Sequence, residues 1–460
     1  MNAIDIGGRV EMMIDDYLVD SMNGLAFRLN KPVEREIAIT GDKPWESVGS
    51  FVYASVFEWN GLFHLYYRAT GPGNKDDTDA LQYLCYARSA DGVHWEKPSL
   101  GLFEYGGGTD NNSLMGGELC HNFTPALDTN PDCPEDERVK AVAGYGHALY
   151  VFASADGLRF RPLADEPAVT SERFGFDSQN VLFYDGARGV YRIYSRYFKP
   201  SPAGMKWGDG ERMLRAIQSC ESKDCRHWSA PTPNAYAGGA DEHLYTNAVT
   251  PCPGAEHILL SFPMRFVEER ARALVRGSRG VSDAVFMTSR DGVLWDRRHM
   301  DSLADGGLDE RSWTQRSNMV TRGILRTGDE FSLYVTKRYC WEDARLVRFA
   351  ARPFGFSALE AGAEGGALRT KPVTFSGNAL RVNYATAAPG SLRAGLIDPE
   401  TGRFIEGFSP DDCEEAFGDA LDEPLRFAGG SLAPLSGKPV AIQFSLRLAR
   451  LYAFRFGPDR

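Results

Sequence analysis

SADGVHW, at residues 89–95, is followed by three close copies of itself further along the chain. The copies are SADGLRF at 154–160, SKDCRHW at 222–228 and SRDGVLW at 289–295. Their first serines, at positions 89, 154, 222 and 289, are separated by 65, 68 and 67 residues. A spacing this regular indicates a repeated structural unit.

Each copy predicts a β-hairpin, because Asp-Gly favours a tight turn and strand-like residues flank it on both sides. Upstream of each hairpin lies a second pair of strand-like runs joined by a polar turn. In the first unit these runs are FVYASVFEW and LFHLYYRA, joined through Asn60-Gly61, and in the third they are joined by DGARG at 185–189. A fifth unit, from NMVTRGILRT to RLVRFAARP, lacks the final signature.

Four antiparallel strands repeated five times predict an all-β chain with a five-bladed β-propeller over residues 1–357. The N-terminal run VEMMIDDYLVD is expected to supply the missing fourth strand of the last blade. Paired β-sandwiches also contain short strands and turns, but equal spacing favours the propeller. After the Gly/Ala-rich joint ALEAGAEGGAL, period-2 runs predict an ancillary β-sandwich at 358–460.

The composition of the chain argues against several classes of function. A net charge of −11 argues against nucleic acid as a partner, since phosphate binding needs a basic surface. No apolar run approaches the roughly 20 residues of a membrane span, and no export signal is visible, so we expect a cytoplasmic protein that binds no membrane. The eight cysteines lack zinc-type spacing, so we expect no metal and no cofactor.

Candidate site residues lie just before the first strand of each unit, where a propeller brings distant segments together at one end of its channel. These positions offer carboxylates together with side chains that stack on sugars or bind hydroxyls. The carboxylates are Glu46, Asp128, Asp177 and Glu242, and the expected substrate contacts are Asn180, Tyr245, Asn247, Trp313, Arg316 and Asn318.

Two carboxylates in one funnel suit glycoside hydrolysis, in which one protonates the leaving oxygen and the other attacks the anomeric carbon or activates water. Asp177 is the strongest single candidate for the acid, because Phe174 and Phe176 could desolvate it and raise its pKa. The alternative for any one of these carboxylates is a structural role in a loop, so the prediction depends on their convergence.

The chain resembles the five-bladed propeller glycoside hydrolases related to invertases, levanases and arabinanases, of families 32 and 43, many of which carry a C-terminal β-sandwich. LDTNPDCPEDERVKAVAG is similar to their blade-2 phrase built on Arg-Asp-Pro, which implies that Asp128 stabilises the transition state. FDSQN stands where their blade-3 acid falls, which implies that Asp177 is the acid. Blade 1 departs from the pattern, with Phe51, Val52 and Tyr53 where Asn-Asp-Pro is expected. Glu46 or Glu242 is then left as nucleophile or base.

The resemblance implies an exo-acting furanosidase for fructofuranosyl, arabinofuranosyl or galactofuranosyl substrates. A glycoside phosphorylase is the enzymatic alternative, and it would place Arg, Lys or His beside the acid. A propeller that binds carbohydrate without cleaving it is another. The hairpin signature is also similar to the Asp-box of sialidases, but that motif has an extra residue between Asp and Gly. Sialidases also need an arginine triad, a nucleophilic Tyr and six blades, which argues against them. The basic insertion at 265–279 favours a solvated loop and is also compatible with a helical lid, a homo-oligomer contact or a phosphate site.

Overall fold

The computed structural model describes residues 3–72, 82–173, 175–206, 210–274, 279–339 and 341–459. It is all-β, as predicted, with short 3-10 helices at Glu118–His121, Glu135–Glu137, Glu310–Ser312 and Ala433–Leu435. No helix in the described ranges is both long and apolar enough to cross a membrane. The chain divides into two units, one formed by Pro32–Ala350 and the other by Met1–Lys31 with Ala351–Arg460.

Pro32–Ala350 forms the five-bladed propeller. In each blade the first strand is the innermost, and the following strands pair outward from it in antiparallel order. Blade 1 contains Ser55–Trp59, Leu62–Thr70, Gln82–Ser89 and Ser113–Gly116. Blade 2 contains Thr124–Leu127, Val139–Tyr145, Ala148–Ser154, Arg161–Pro162 and Val169–Thr170. Blade 3 contains Val181–Asp185, Val190–Lys206, Arg212–Ser222 and Thr232–Pro233.

Blades 4 and 5 depart from the simple four-strand pattern. Blade 4 contains Thr250–Cys252, Ala255–Ser261, Met287–Ser289 and Leu294–Asp296, with Ala235–Ala237 added in parallel at its outer edge. A further three-stranded sheet is formed by His243–Leu244, Met264–Val267 and Val281–Ala284. Blade 5 contains Met319–Val320, Leu325–Thr327, Glu330–Lys337, Arg345–Ala351 and Val33–Thr40.

The outer strand of blade 5 is Val33–Thr40, so the prediction that residues 10–20 close this blade is wrong. VEREIAIT is mostly exposed and highly charged, which suits the edge strand of a sheet. The earlier segment carries Met12, Met13 and Ile14, which are all buried, and Glu11–Met12 pairs with Ala441–Gly457. The first 31 residues therefore belong to the second unit, which differs from the predicted division at 357/358.

Blades 1 and 5 meet through their innermost strands. The Val56 amide donates to the Arg322 carbonyl at 2.8 Å, and the Arg322 amide donates to the Ala54 carbonyl at 2.9 Å. Gly323 has a φ of 103°, and a Cβ at this position would lie 2.1 Å from the Val56 carbonyl oxygen. A residue without a side chain is therefore required at this point of the ring.

The repeated signature joins the third strand of a blade to its outer segment, as predicted. In the first copy, Ser89 Oγ accepts from the Gly92 amide, and Asp91 Oδ1 accepts from the amides of Val93 and His94. Asp156, Asp224 and Asp291 make the same pair of contacts in the other copies. The residue after each Asp has positive φ, including Cys225 at 63°.

The second unit is a β-sandwich around its own apolar core. Two long strands, Ala379–Ile397 and Ala441–Gly457, pair along most of their length. The remaining strands are Ile4–Gly7, Glu11–Met12, Val19–Asn23, Leu25–Leu29, Ser357–Ala361, Gly366–Thr370, Val373–Phe375 and Asp419–Pro424.

Candidate functional site

Asp177 lies at the end of the propeller where the first strands begin, four positions before Val181. Its carboxylate forms an ion pair with the Nη2 of Arg196, and its side chain is 26% exposed. Arg196 comes from the second strand of blade 3, is almost fully buried, and donates from Nε to the Gly175 carbonyl at 3.1 Å. The carboxylate is thus held by a buried guanidinium while it remains open to a ligand.

Three arginines surround Tyr245, two from blade 3 and one from the segment before blade 5. The Arg215 and Arg196 guanidinium carbons lie 4.9 and 5.3 Å from the Tyr245 ring centre. Arg316 acts on Tyr245 electrostatically and lies 4.7 Å from the Tyr339 ring centre. Three cations around one phenol favour negative charge at this place.

A second layer links blades 1, 2 and 3 beneath these residues. Arg68 donates to the Gly49 carbonyl and the Tyr339 hydroxyl, both at 3.0 Å, and its Nη1 lies 3.1 Å from His121 Nδ1. His121 Nε2 lies 3.0 Å from the Asp177 carbonyl oxygen. This layer therefore fixes the backbone that carries the exposed carboxylate.

The residues described above, together with Tyr53, form a cluster of nine that we call the arginine–tyrosine centre. Its members are Tyr53, Arg68, His121, Asp177, Arg196, Arg215, Tyr245, Arg316 and Tyr339. Asp177 contributes a carboxylate to this centre, and this carboxylate forms an ion pair with Arg196. The arrangement can hold an anion next to an acid.

Two of the three tyrosines of the centre, Tyr245 and Tyr53, differ in acidity. Burial acts to raise the pKa of Tyr245, but Arg316, Arg196 and Arg215 outweigh burial and lower this pKa to about 8. Burial raises the pKa of Tyr53 well above its ordinary value. Tyr245 therefore ionises before Tyr53.

A cavity of about 680 Å³ opens beside Arg215, which forms part of its lining with Phe266, Glu268, Glu269, Arg279 and Gln315. Arg215 also packs against the Phe266 ring, at 5.3 Å from its centre. Cavities of this size accommodate small ligands such as a short saccharide.

Three predicted substrate contacts, Asn180, Asn247 and Asn318, are fully or nearly fully buried and hydrogen-bond to backbone carbonyls. Asn122 of blade 2 does the same, so an asparagine precedes the first strand in four blades. Asn247 bonds to the Gln179 carbonyl and Asn318 to that of Ser282, each in the preceding blade. These side-chain amides stabilise the backbone of the propeller, which corrects the prediction that Asn180, Asn247 and Asn318 contact substrate.

Glu46 is also enclosed. Its side chain is 0% exposed, pairs with Lys97 Nζ at 2.5 Å, and accepts from the Tyr67 hydroxyl at 2.5 Å. Burial raises the pKa of this carboxyl group. A carboxylate closed off in this way cannot reach a sugar, so the structure does not support Glu46 as nucleophile.

Glu242 is bound by two arginines, Arg265 at 3.3 Å and Arg297 at 3.0 Å. It lines a cavity of about 410 Å³ with His243, Arg212 and other residues, and this cavity shares Phe266, Glu268 and Glu269 with the cavity beside Arg215. The role of Glu242 as nucleophile or base stays a prediction.

Asp128 lies at the other end of the propeller. It follows Leu127, the last residue of the first strand of blade 2, and accepts from the Tyr191 hydroxyl at 3.0 Å. Tyr191 pairs with Tyr184, near the end of the first strand of blade 3 that is far from Asp177. Asp128 is fully buried and pairs with Lys140 at 3.1 Å. The prediction that it shares a funnel with Asp177 is wrong, because Val139–Tyr145 is the second strand of blade 2, not the first.

Several other predicted features can be placed. Trp313 is partly exposed and donates to the Gly307 carbonyl at 2.8 Å. The insertion at 265–279 begins inside the strand Met264–Val267, and its described residues form no helix. Phe174, expected to desolvate Asp177, lies outside the described residues, whereas Phe176 is fully buried.

The sequence interpretation missed Arg68, His121, Arg196 and Arg215. Arg68, Arg196 and Arg215 stand in the second or third strand of a blade, within YYRAT, YSRYF and MLRAI. An arginine inside an apolar strand is a usable signal, because a charge is seldom buried without a partner or a ligand.

Known structures share this fold. A complex of BT0996 with RGII and a structure named "Glycoside hydrolase" each superpose with a TM-score of 0.50 at 11% identity, covering 71% of this chain and 93% of theirs. A β-1,2-mannobiose phosphorylase from Listeria innocua superposes with a TM-score of 0.45 at 14% identity, covering 68% of this chain and 92% of its own. No protein-family model matches the chain, and no curated protein matches its sequence. The propeller is thus of the kind seen in glycoside hydrolase structures.

Proposed function

We propose that the protein cleaves a glycosidic bond of an oligosaccharide or simple glycoside at the arginine–tyrosine centre, and that inorganic phosphate is the acceptor. The observation that carries this proposal is the cluster of arginines around Asp177 and Tyr245. Guanidinium groups bind phosphate through paired, charge-assisted hydrogen bonds. A phosphorylase needs one acid and an anion site, which are the two elements this centre offers.

The chemical step requires only these two elements. Asp177 donates a proton to the departing glycosidic oxygen as a phosphate oxygen attacks the anomeric carbon. The products are a glycosyl phosphate and the shortened saccharide or alcohol. Phosphate that binds Arg196 competes with the Asp177 carboxyl group for this guanidinium, which leaves Asp177 free to face the substrate.

Hydrolysis by an exo-acting furanosidase is the second candidate, and Tyr245 is the observation that favours it. A phenol with a pKa near 8 can replace the missing second carboxylate as base or nucleophile. Water would then be the acceptor and a free fructofuranose, arabinofuranose or galactofuranose the product.

A panel of nitrophenyl furanosides and pyranosides, assayed with and without phosphate, tests the proposal. We expect nitrophenol release that depends on phosphate and yields a glycosyl phosphate. Equal release without phosphate would favour the furanosidase instead. Binding of oligosaccharides with no turnover under either condition would contradict both and indicate a carbohydrate-binding propeller.

A further inference from the structure

Arg322 crosses the central channel of the propeller. It follows the first strand of blade 5, and its backbone pairs with Ser55 in the first strand of blade 1. Its guanidinium carbon lies 6.0 Å from the ring centre of Phe183, in the first strand of blade 3. Blades 3 and 5 are not neighbours in the ring, so this contact spans the channel.

This cation is buried without a counter-charge. Arg322 is only 6% exposed, and its buried Nε atom has no hydrogen-bond partner. Within the described ranges no carboxylate forms an ion pair with it. Desolvation lowers the pKa of Arg322 to about 10, so the side chain remains charged at neutral pH.

An isolated buried charge is costly, and proteins compensate it with a partner or a bound ion. Ser55, whose backbone pairs with Arg322, and Thr321, which precedes it in the chain, each have a buried hydroxyl without a hydrogen-bond partner. A hydroxyl donates readily to an anion. Arginine and hydroxyl groups together form the donor set of an anion site.

We propose that a small monovalent inorganic anion of the chloride type binds in the channel beside Arg322. One guanidinium group balances one negative charge. We expect a small anion, because one guanidinium group and single hydroxyls offer few donors. The site is distinct from the arginine–tyrosine centre and does not depend on the proposed enzymatic function.

Thermal unfolding of the whole protein tests this proposal after dialysis into chloride-free, phosphate-free buffer. We expect Tm to rise with sodium chloride but not with sodium gluconate at the same ionic strength, because binding to the folded state alone stabilises it by mass action. Arg322→Gln should abolish the chloride-specific rise. Arg326→Gln, in an exposed position of the same blade, should retain it.

Arg215→Gln separates this site from the arginine–tyrosine centre. A chloride response that survives Arg322→Gln but is lost in Arg215→Gln would overturn the proposal, as would equal responses to chloride and gluconate. Should Arg322→Gln fail to fold, crystals of the unchanged protein grown with sodium bromide decide the matter. An anomalous peak beside the Arg322 guanidinium is expected, and its absence there would contradict the site.

Discussion

At the scale of single residues, function and scaffold are separated by exposure and by charge partners. Asp177 and Asp128 are both aspartates paired with a cation, but the first is 26% exposed at the channel mouth and the second is fully enclosed. Tyr245 and Tyr53 are both phenols of the arginine–tyrosine centre, but their pKa values differ. Three arginines together lower the pKa of Tyr245, whereas burial raises that of Tyr53. A residue type therefore does not indicate its role until its surroundings are known.

Asp177→Asn should reduce turnover by roughly 10²- to 10⁴-fold, because the amide cannot supply the proton. Asp128→Asn is the matched control. It should lower the free energy of unfolding by about 1–3 kcal/mol, since buried Lys140 loses one of its two carboxylate partners and keeps Glu137 at 3.3 Å, while kcat of the folded fraction stays unchanged. Steady-state kinetics combined with denaturant unfolding measure both effects. Wild-type kcat in Asp177→Asn would contradict the assignment.

Tyr245 should ionise near pH 8, and the ultraviolet absorbance of the phenolate reports this step. Because the folded-state pKa lies below the ordinary value of 10.0, stability should increase as pH rises from about 8 to 10. Tyr245→Phe should lose both the early absorbance step and this gain in stability. Tyr17→Phe, at an exposed position, should keep both. An early step that persists in Tyr245→Phe would assign it to another group.

At the scale of elements, the repeated hairpin also joins neighbouring blades. The Tyr194 hydroxyl, on the second strand of blade 3, donates to the Gly292 carbonyl in the blade-4 hairpin at 2.6 Å. Tyr334 of blade 5 donates in the same way to Gly92 of blade 1. A Cβ on Gly157 of blade 2 would lie 2.7 Å from the Tyr66 hydroxyl oxygen of blade 1. The signature thus recurs because each turn packs against the preceding blade, not because it takes part in chemistry.

Gly292→Ala should destabilise the protein more than Gly238→Ala. Both glycines have positive φ, 85° and 80°, so both substitutions strain the backbone by roughly 1–2 kcal/mol. A Cβ on Gly292 would lie 2.6 Å from Arg192 Cζ and 2.9 Å from the Tyr194 hydroxyl oxygen. A Cβ on Gly238 would have no atom within 4 Å. The additional loss should be about 1–3 kcal/mol, measured by denaturant unfolding. Equal losses would show that the turn packs loosely.

At the scale of the propeller, the ring is closed in two places by different parts of the chain. Val33–Thr40 completes blade 5 from the outside, and the Arg322–Gly323 backbone meets blade 1 on the inside. Closure brings Arg196 and Arg215 of blade 3, Tyr245 of blade 4 and Arg68 of blade 1 to one mouth. The site therefore exists only in the closed ring.

Gly323→Ala should weaken ring closure severely, because the new Cβ would lie 2.1 Å from the Val56 carbonyl oxygen. Gly328→Ala, in the same blade at a φ of 62° and with open space around it, is the matched control. We expect a clearly larger fall in Tm for Gly323→Ala, together with faster limited proteolysis of the propeller. Similar Tm values for the two variants would show that the strands separate without cost.

The repeat, the hairpins and the all-β propeller followed by a sandwich can be predicted from the amino-acid sequence alone, because these depend on local spacing and turn chemistry. The sequence also singled out Asp177, Tyr245 and Arg316. It misplaced the first strand of blade 2, because Thr124–Leu127 is short and contains Pro125, and it misplaced the closing strand because both N-terminal runs have β-like patterns. Which charges meet depends on the packing of the whole propeller, since Arg68, Arg196 and Arg215 reach the mouth from second and third strands. Their convergence depends on the register between strands and on the closure of the ring, which no local pattern encodes.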